Sequence, residues 1–327
     1  MPQLSVILCA HNPRRDFLDR VLQGLKAQTL PLDKWELLLV DNNSDERLSE
    51  LVELSWHPNA RHLLEPELGL TPARLRGIRG SKGDVIIFVD DDNVVASDYV
   101  EKAAFIGNER PWLGAWGAGI IAAEYENQHG EWQPEFAQFL TLLNDVRDYW
   151  GNTYDIAHTP VGAGLCVRRE VAFAYAEQLR TDSARRALGR YGNRLTLGED
   201  TDMAWVACDF GFGVGRFVNL KIQHLIPFRR TTPAFLLQMA EDGAYSMEWL
   251  KHVRGLRTEE SRSLLLRLAQ WRYERRLTAL QRGLSIAARK GRLRAGMEIK
   301  LASREGVANS IKSPGAVRNS TSQGGER

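Results

Sequence analysis

Residues 85–93 read Val-Ile-Ile-Phe-Val-Asp-Asp-Asp-Asn, an apolar run of strand length that ends abruptly in three consecutive carboxylates. A short, continuous apolar run is the pattern of a strand buried on both faces, as in a parallel sheet covered by helices. Ligands in open α/β sheets sit outside the carboxyl ends of such strands. Three like charges there repel one another unless a cation lies among them, and carboxylate oxygens are the ligands a hard divalent cation prefers. Taken alone, the run fits a strand with an Asp-rich turn equally well, so its surroundings must decide.

Upstream, residues 4–10 read as a first buried strand, with His11-Asn12-Pro13 as a turn. Phe17, Leu18, Val21, Leu22 and Leu25 then recur at helical spacing. Trp35 to Val40 is a second strand, and Asp41-Asn42-Asn43-Ser44-Asp45 after it reads as a loop and helix N-cap. Leu48, Leu51, Val52 and Leu54 predict a helix, and residues 61–64 a short strand. Gly69-Leu70-Thr71-Pro72 opens a helix that runs to about residue 80, and Gly83-Asp84 turns the chain into the acidic strand. This β-α-β-α-β-α-β order calls for a parallel sheet with helices on both faces.

Beyond residue 110 the pattern loosens. Trp112, Trp116, Trp132, Tyr149 and Trp150 stand among glycines and short polar segments, which predicts a less regular lobe on the same sheet. Helical spacing returns after Thr232, and a basic helical region from about 258 to 295 carries Leu264, Leu265, Leu268, Trp271, Leu277, Leu280 and Leu284. The Ser-, Gly- and Asn-rich tail from about residue 305 reads as disordered.

The 327 residues, 43% hydrophobic and 26% charged, suit a soluble globular chain with a sizeable core. A net charge of +2 conceals an asymmetry: residues 254–304 hold 14 Lys and Arg against 4 Asp and Glu. Cys9, Cys166 and Cys208 are odd in number and match no metal spacing, so buried free thiols in a reducing compartment are expected. No signal peptide is read at Met1-Pro2-Gln3, and no stretch approaches the roughly 18 apolar residues of a membrane span. A cytoplasmic protein is the expectation.

Two further acidic sites follow the same logic. Asp41 ends a strand as Asp90 does, and an acidic side chain there either caps a helix or accepts hydrogen bonds from a base or ribose. Glu199-Asp200, in Leu-Gly-Glu-Asp-Thr-Asp-Met-Ala-Trp, opens a helix. Asp200 is either a cap or a general base that takes the proton of a substrate hydroxyl.

The ordered set Ala10-His11-Asn12, Val40-Asp41-Asn42, Gly69 through Ala73-Arg74, Gly83-Asp84, Asp90-Asp91-Asp92 and Gly198-Glu199-Asp200 resembles the family 2 inverting glycosyltransferases. The resemblance covers roughly residues 4–250. Each motif alone is weak, and the ordered set carries the likeness. It implies an α/β GT-A fold with a mostly parallel central sheet and helices on both faces. Residues 1–110 would be the nucleotide-sugar-binding half, 111–253 the acceptor-binding half, 254–304 a basic helical extension and 305–327 the tail.

The resemblance also implies roles. Ala10, His11 and Asn12 would line the nucleotide, Asp41 would hold the base, and Arg74 would serve nucleotide or phosphate. Asp90, Asp91 and Asp92 match a DXD motif in the donor site: Asp92 would bind Mn²⁺ or Mg²⁺, and Asp90 ribose or a metal-bound water. Asp200 would be the catalytic base, with Glu199 positioning the acceptor. His224 would be an extra metal ligand or a satisfied structural histidine. Arg229 and Arg230 would clamp pyrophosphate or form a solvated turn. Two departures stand out: Leu75 replaces an Asn common after the Arg, and the Gln-Xaa-Xaa-Arg-Trp motif of processive polymerases is missing.

The expected activity is therefore metal-assisted, non-processive transfer of a sugar from a nucleotide-diphosphate donor, a UDP-sugar, to a saccharide, glycan or lipid-linked acceptor. A catalytically silent nucleotide-sugar-binding or assembly subunit is the rival. A sugar nucleotidyltransferase is disfavoured by His11-Asn12-Pro13-Arg14-Arg15, where a Gly-rich loop would be wanted. Gly162-Ala163-Gly164 reads as close backbone packing or an acceptor-side strand. Trp112, Trp116 and Trp150 are either core or sugar-stacking residues. Arg262, Arg267, Arg272, Arg275, Arg276 and Arg282 around Trp271 suit peripheral contact with an anionic inner membrane face or a solvated helical pair. Nucleic acid is not expected.

Overall fold

The acidic strand lies inside a ten-stranded sheet in the computed structural model, which describes residues 3–127, 137, 139–186, 188, 198–256, 272 and 274–304. β1 (Leu4–Ala10) pairs in parallel with β2 (Trp35–Asp41) on one side and β4 (Val85–Asp90) on the other. β3 (Ala60–Leu64) continues the parallel run beyond β2. The strands end in register: Cys9 lies opposite both Val40 and Asp90, and Ala10 lies opposite Asp41. One edge of the sheet thus collects the residues that follow each strand.

Past β4 the sheet becomes mixed. β9 (Cys166–Arg168) runs antiparallel to β4 and to β6 (Leu113–Tyr125), and β6 is parallel to β10 (Gly213–Ile226). β5 (Asn93–Val95) closes the far edge antiparallel to β10, while β7 (Leu143–Asn144) and β8 (Tyr149–Gly151) attach to β6 and β10. The lobe expected to be less regular therefore holds the two longest strands among the described residues. Its glycines are packing devices: a Cβ on Gly114 would meet Ala207 and Phe212, and one on Gly119 would meet the Phe217 backbone at 2.8 Å.

Alternation along the strands supplies both cores. Val6, Leu8, Leu37 and Leu39 face α1 (Arg15–Lys26) and α4 (Tyr99–Glu109), against Leu18, Val21, Tyr99 and Ile106. Ile7, Leu38, Ile86 and Phe88 face α3 (Leu70–Gly80), α5 (Arg169–Thr181) and α7 (Glu199–Asp209), against Ile78, Val171, Tyr175 and Met203. Each such side chain contributes about 1.5–3 kcal/mol by leaving water.

The helix expected over residues 48–54 is a single turn, α2 (Leu48–Leu51). Val52 is already extended (φ −116°, ψ 117°), and Val52 and Leu54 are both buried in the first core. Two residues apart in extended chain, they share one side, which a helix would deny them. Among the cysteines, Cys9 and Cys166 are buried and Cys208 is half-buried, and all are free thiols. α6 (Ser183–Arg186) is one turn before α7.

α8 (Pro233–Val253) starts at a Thr232 cap whose Oγ1 accepts from the Phe235 N–H. α9 (Ala279–Arg304) lies along it, Leu284 and Ala287 against Leu236 and Ala240. Contact is so close that a Cβ on Gly291 would fall 2.0 Å from the Glu241 carbonyl oxygen. Arg294 pairs with Glu241 and Asp242, and Lys290 with Glu241. This part of the basic region thus packs on the domain. Leu264, Leu265, Leu268, Trp271, Arg262, Arg267, Trp132 and the tail lie outside the described residues. No helix of the described residues is long and apolar enough to cross a membrane.

Candidate active site

At the carboxyl ends of β1 and β4 lies a cleft of ≈ 510 Å³. Ala10, His11, Arg74, Asp90, Asp91, Asp92, Glu199, Asp200, His224, Arg229 and Arg230 all line it. They come from six different elements and loops. The pairing of β10 with β5 sets His224 opposite Asn93, next to the acidic run. α3 contributes Arg74, and the start of α7 contributes Glu199 and Asp200.

Crowded carboxylates dominate the electrostatics. Burial, reinforced by Asp92 and Asp90, pushes the Asp91 carboxyl up to about 7, while Arg230 opposes the rise. Asp92 accepts from the Asn93 amide at 2.6 Å and from Arg230 Nη2 at 2.9 Å. His224 Nε2 stands 3.6 Å from the same Asp92 carboxylate and 3.0 Å from Arg230 Nη1. His224 Nδ1 lies 3.0 Å from the Leu140 carbonyl, which can only accept. Nδ1 therefore carries the proton, and Nε2 turns its lone pair toward Arg230.

A backbone carbonyl fixing the far ring nitrogen is the arrangement that prepares a histidine to ligate a metal. Among the described residues no group of three His, Cys, Asp or Glu converges tightly enough to hold a metal ion. Asp92 and His224 nevertheless offer a carboxylate and an imidazole lone pair to one point, which a guanidinium cation fills. That donor pair fits Mn²⁺ or Mg²⁺ if a bound diphosphate completes the shell. Asp90, the expected third member, is turned to Arg74 instead.

Arg74 is 3% exposed. Its Nη1 donates to Glu199 Oε1 at 2.9 Å, and its Nη2 lies 3.4 Å from Asp90 Oδ1. Burial works against its charge, but Glu199, Asp90 and Asp200 outweigh burial and hold its pKa above the usual arginine value. Arg74 thereby ties the end of β4 to the start of α7. The Glu199 carboxylate is engaged in this tie. Asp200 is held by backbone: Oδ2 accepts from the Gly162 N–H at 2.7 Å, and Oδ1 from the Thr201 N–H at 2.8 Å. A Cβ on Gly162 would come within 2.8 Å of Asp200 Oδ2, so only glycine allows this approach.

Two expected donor residues stand outside the cleft lining. Asp41 is 4% exposed, and its oxygens accept from the Ser44 and Leu48 N–H groups. Burial would raise its pKa, but these bonds prevail and hold the carboxyl below the usual range. It caps the loop that enters α2. Asn12, at φ +46°, is bonded to Ser44 and Asp45.

Sequence reasoning passed over the neighbour of Asp41. Asn42 lines the cleft, donates to the Glu65 and Glu67 carbonyls and accepts from the Gly69 N–H, while its own carbonyl meets His11 Nδ1 at 2.9 Å. Gly69 (φ +135°) is held in place by this asparagine. Of the tryptophans, Trp116 is fully buried, and Trp112 and Trp150 lean on each other, ring centroids 5.0 Å apart, outside the cleft lining.

Residues 5–157 match the family model described as Glycosyl transferase family 2. Over that stretch, a little under half of its length, the chain is similar to that family. The match takes in Asp90 to Asp92 and stops short of Glu199, Asp200 and His224. An N-acetylglucosaminyltransferase of Rhizobium sp. (strain N33) is 26% identical over 224 residues, 64% of this chain and 46% of that protein. Glycosyltransferase AglE of Haloferax volcanii is 30% identical over 105 residues, 31% of this chain and 34% of that protein. The chain spans between 18% and 53% of the length of such curated relatives. Among solved structures, GalNAc-T7 with UDP, GalNAc and Mn²⁺ shares the fold at a TM-score of 0.51 and 16% identity, over 87% of this chain and 56% of that one. The chain shares this GT-A fold.

The buried Arg74–Glu199 pair predicts that Arg74→Met destabilises the protein by about 3–5 kcal/mol, because a buried ion pair loses one of its two members. Urea unfolding measures this. Adding Glu199→Gln to Arg74→Met should recover part of the loss, and strictly additive effects of the two changes would show that the pair is not coupled.

Proposed function

We propose that this chain is a glycosyltransferase that moves a sugar from a UDP-sugar to a hydroxyl of a saccharide, glycan or lipid-linked acceptor, with inversion at the anomeric carbon. The observation that carries the reading is the convergence on one cleft of the backbone-held Asp200 and the Asp92–His224 pair. Relatives named N-acetylglucosaminyltransferase, and a fold neighbour solved with UDP and Mn²⁺, support the donor class.

In this reading Ala10 and His11 border the nucleotide, and Arg229 and Arg230 face the diphosphate. Asp41 and Asn12 act on the nucleotide side through the loop they brace. Asp92 and His224, with Asp90 beside them, would hold Mn²⁺ or Mg²⁺, whose charge offsets what develops on the departing diphosphate. The acceptor oxygen attacks the anomeric carbon on the face opposite the diphosphate. A carbon–oxygen bond forms as the one to the diphosphate breaks, the electron pair leaves with the phosphate, and the hydroxyl proton passes to Asp200. Each Asp200 oxygen accepts one backbone N–H, and an ionised carboxylate oxygen has a second lone pair to receive that proton. Glu199 steadies Arg74 and, with it, the wall the acceptor meets.

The same proposal assigns the exposed side of α9 to an anionic membrane surface. Ile286, Leu293, Met297 and Leu301 are 45%, 61%, 62% and 56% exposed along one side of a helix that carries seven Lys and Arg against one Glu. A basic helix with an apolar stripe binds acidic lipid at its interface.

Calorimetry with UDP, GDP and dTDP, each with and without Mn²⁺, tests the donor assignment; metal-dependent binding of UDP alone is expected, and binding of none would favour an assembly subunit that takes no nucleotide. Asp200→Asn should retain UDP binding and lose about 10²–10⁴-fold in transfer, the size of a general-base contribution; wild-type turnover in that variant would remove Asp200 from the base role. Co-sedimentation should show binding to vesicles containing phosphatidylglycerol and not to purely zwitterionic ones, and Leu293→Asp should weaken it; equal partition to both would sink the membrane assignment.

A further inference from the structure

Asp92 and His224 already share a cation, and it belongs to the chain itself. The Arg230 fork spans both groups, Nη2 at 2.9 Å from the Asp92 carboxylate and Nη1 at 3.0 Å from His224 Nε2. These are the two atoms that a divalent ion would need. A lone pair accepting a hydrogen bond from Nη1 is not available for coordination, and a carboxylate oxygen that meets both cations must set two positive charges side by side. Arginine suits the task because its planar fork reaches both groups at once, whereas a lysine ammonium is a single point charge.

We infer that Arg230 is a built-in counter-ion that competes with the divalent metal for Asp92 and His224, and that a donor diphosphate relieves the competition by drawing the guanidinium to itself. The inference rests on the proposed metal site and adds a positioning residue that makes metal and donor bind together. Three observations support it. Arg230 is half-buried in the one-turn segment Phe228–Thr231, next to Arg229, and both line the donor cleft. His224 is locked in the tautomer that metal binding requires, so Arg230 holds a site already set for the ion. Asp90, Asp91 and Asp92 line the cleft together, and Arg230 reaches the last of them as a counter-charge.

The consequence is cooperativity. With Arg230 in place, Mn²⁺ alone binds weakly and a nucleoside diphosphate strengthens its binding. With Arg230 neutralised, the ion meets an open site, and the nucleotide adds less.

The test is the affinity for Mn²⁺ alone, read from the electron paramagnetic resonance signal of the free ion, for wild type, Arg230→Met, Arg230→Lys and Asp92→Asn, each with and without UDP. Arg230→Met should bind Mn²⁺ alone more tightly than wild type by roughly tenfold, the order expected when a partly exposed like charge leaves a cation site. Its gain on adding UDP should be smaller than the wild-type gain. Arg230→Lys, which keeps charge and frees the imidazole, should fall between, and Asp92→Asn should lose Mn²⁺ in both conditions. Unchanged urea midpoints confirm that the variants fold. Equal Mn²⁺ affinity in wild type and Arg230→Met overturns the role of Arg230 and leaves the metal site standing. Absence of Mn²⁺ binding in every protein, with UDP bound, overturns both.

Discussion

Asp90, Asp91, Asp92, Glu199 and Asp200 line one cleft, and carboxylates brought together out of water must either take up protons or find cations. The chain answers with two arginines of different kinds. Arg74 is sealed in the wall and joins Asp90 to Glu199. Arg230 reaches in from a half-exposed turn and covers Asp92. The first is a lasting tie, since Arg74 is 3% exposed and held by Glu199 and Asp90. The second sits where it can be displaced. One cleft therefore combines a rigid side around Asp200 with an adjustable side around Asp92, and that division follows from burial alone.

The scaffold keeps the Asp200 side rigid by removing side chains. Gly162 lets a backbone N–H reach Asp200, and Gly164 (φ +71°) presents its carbonyl to the Tyr99 hydroxyl at 2.6 Å. The turn between β8 and β9 is thus pinned to α7 on one side and α4 on the other. Backbone donors cost no side-chain entropy and cannot rotate away, which suits a carboxylate that must present a lone pair in one direction. Further along α7, Asp202 is fully buried between Arg185 and Arg254, so the helix carrying Asp200 is fastened below the cleft as well.

What could be read from the chain divides along local and non-local lines. The strands, α3 and the order of the acidic motifs were legible because each rests on a continuous apolar run or on a strand end. Val52 and Leu54 misled because spacing of two and spacing of four look alike in so short a segment. The glycines of β6 resembled punctuation, and only the facing Ala207, Phe212 and Phe217 explain them. Asp41 and Asn42 are adjacent at a strand end; which one turns toward the cleft depends on the Gly69 turn, 27 residues later. Arg230 meeting Asp92 depends on β10 pairing with β5, a contact that no local pattern announces. The base assignment for Asp200 and the metal role of His224 came from likeness to a family, since a cap and a structural histidine explain the same residues locally.

The pairing of β10 also bears on how the chain is made. β1, β2 and β4 lie within the first 90 residues, and Arg74 precedes Asp90 by only 16, so the inner parallel strands and their fixed counter-charge can assemble as soon as they leave the ribosome. His224 and Arg230 arrive more than 130 residues later. Until then Asp91 and Asp92 point from a nearly finished sheet edge into water with no partner from the far strand, and their repulsion keeps that edge hydrated and open. Long-range pairing of this kind is slow because the chain entropy is lost before the contact is gained. The cleft thus cannot be completed until residues 224–230 have been added, long after the first strands that border it.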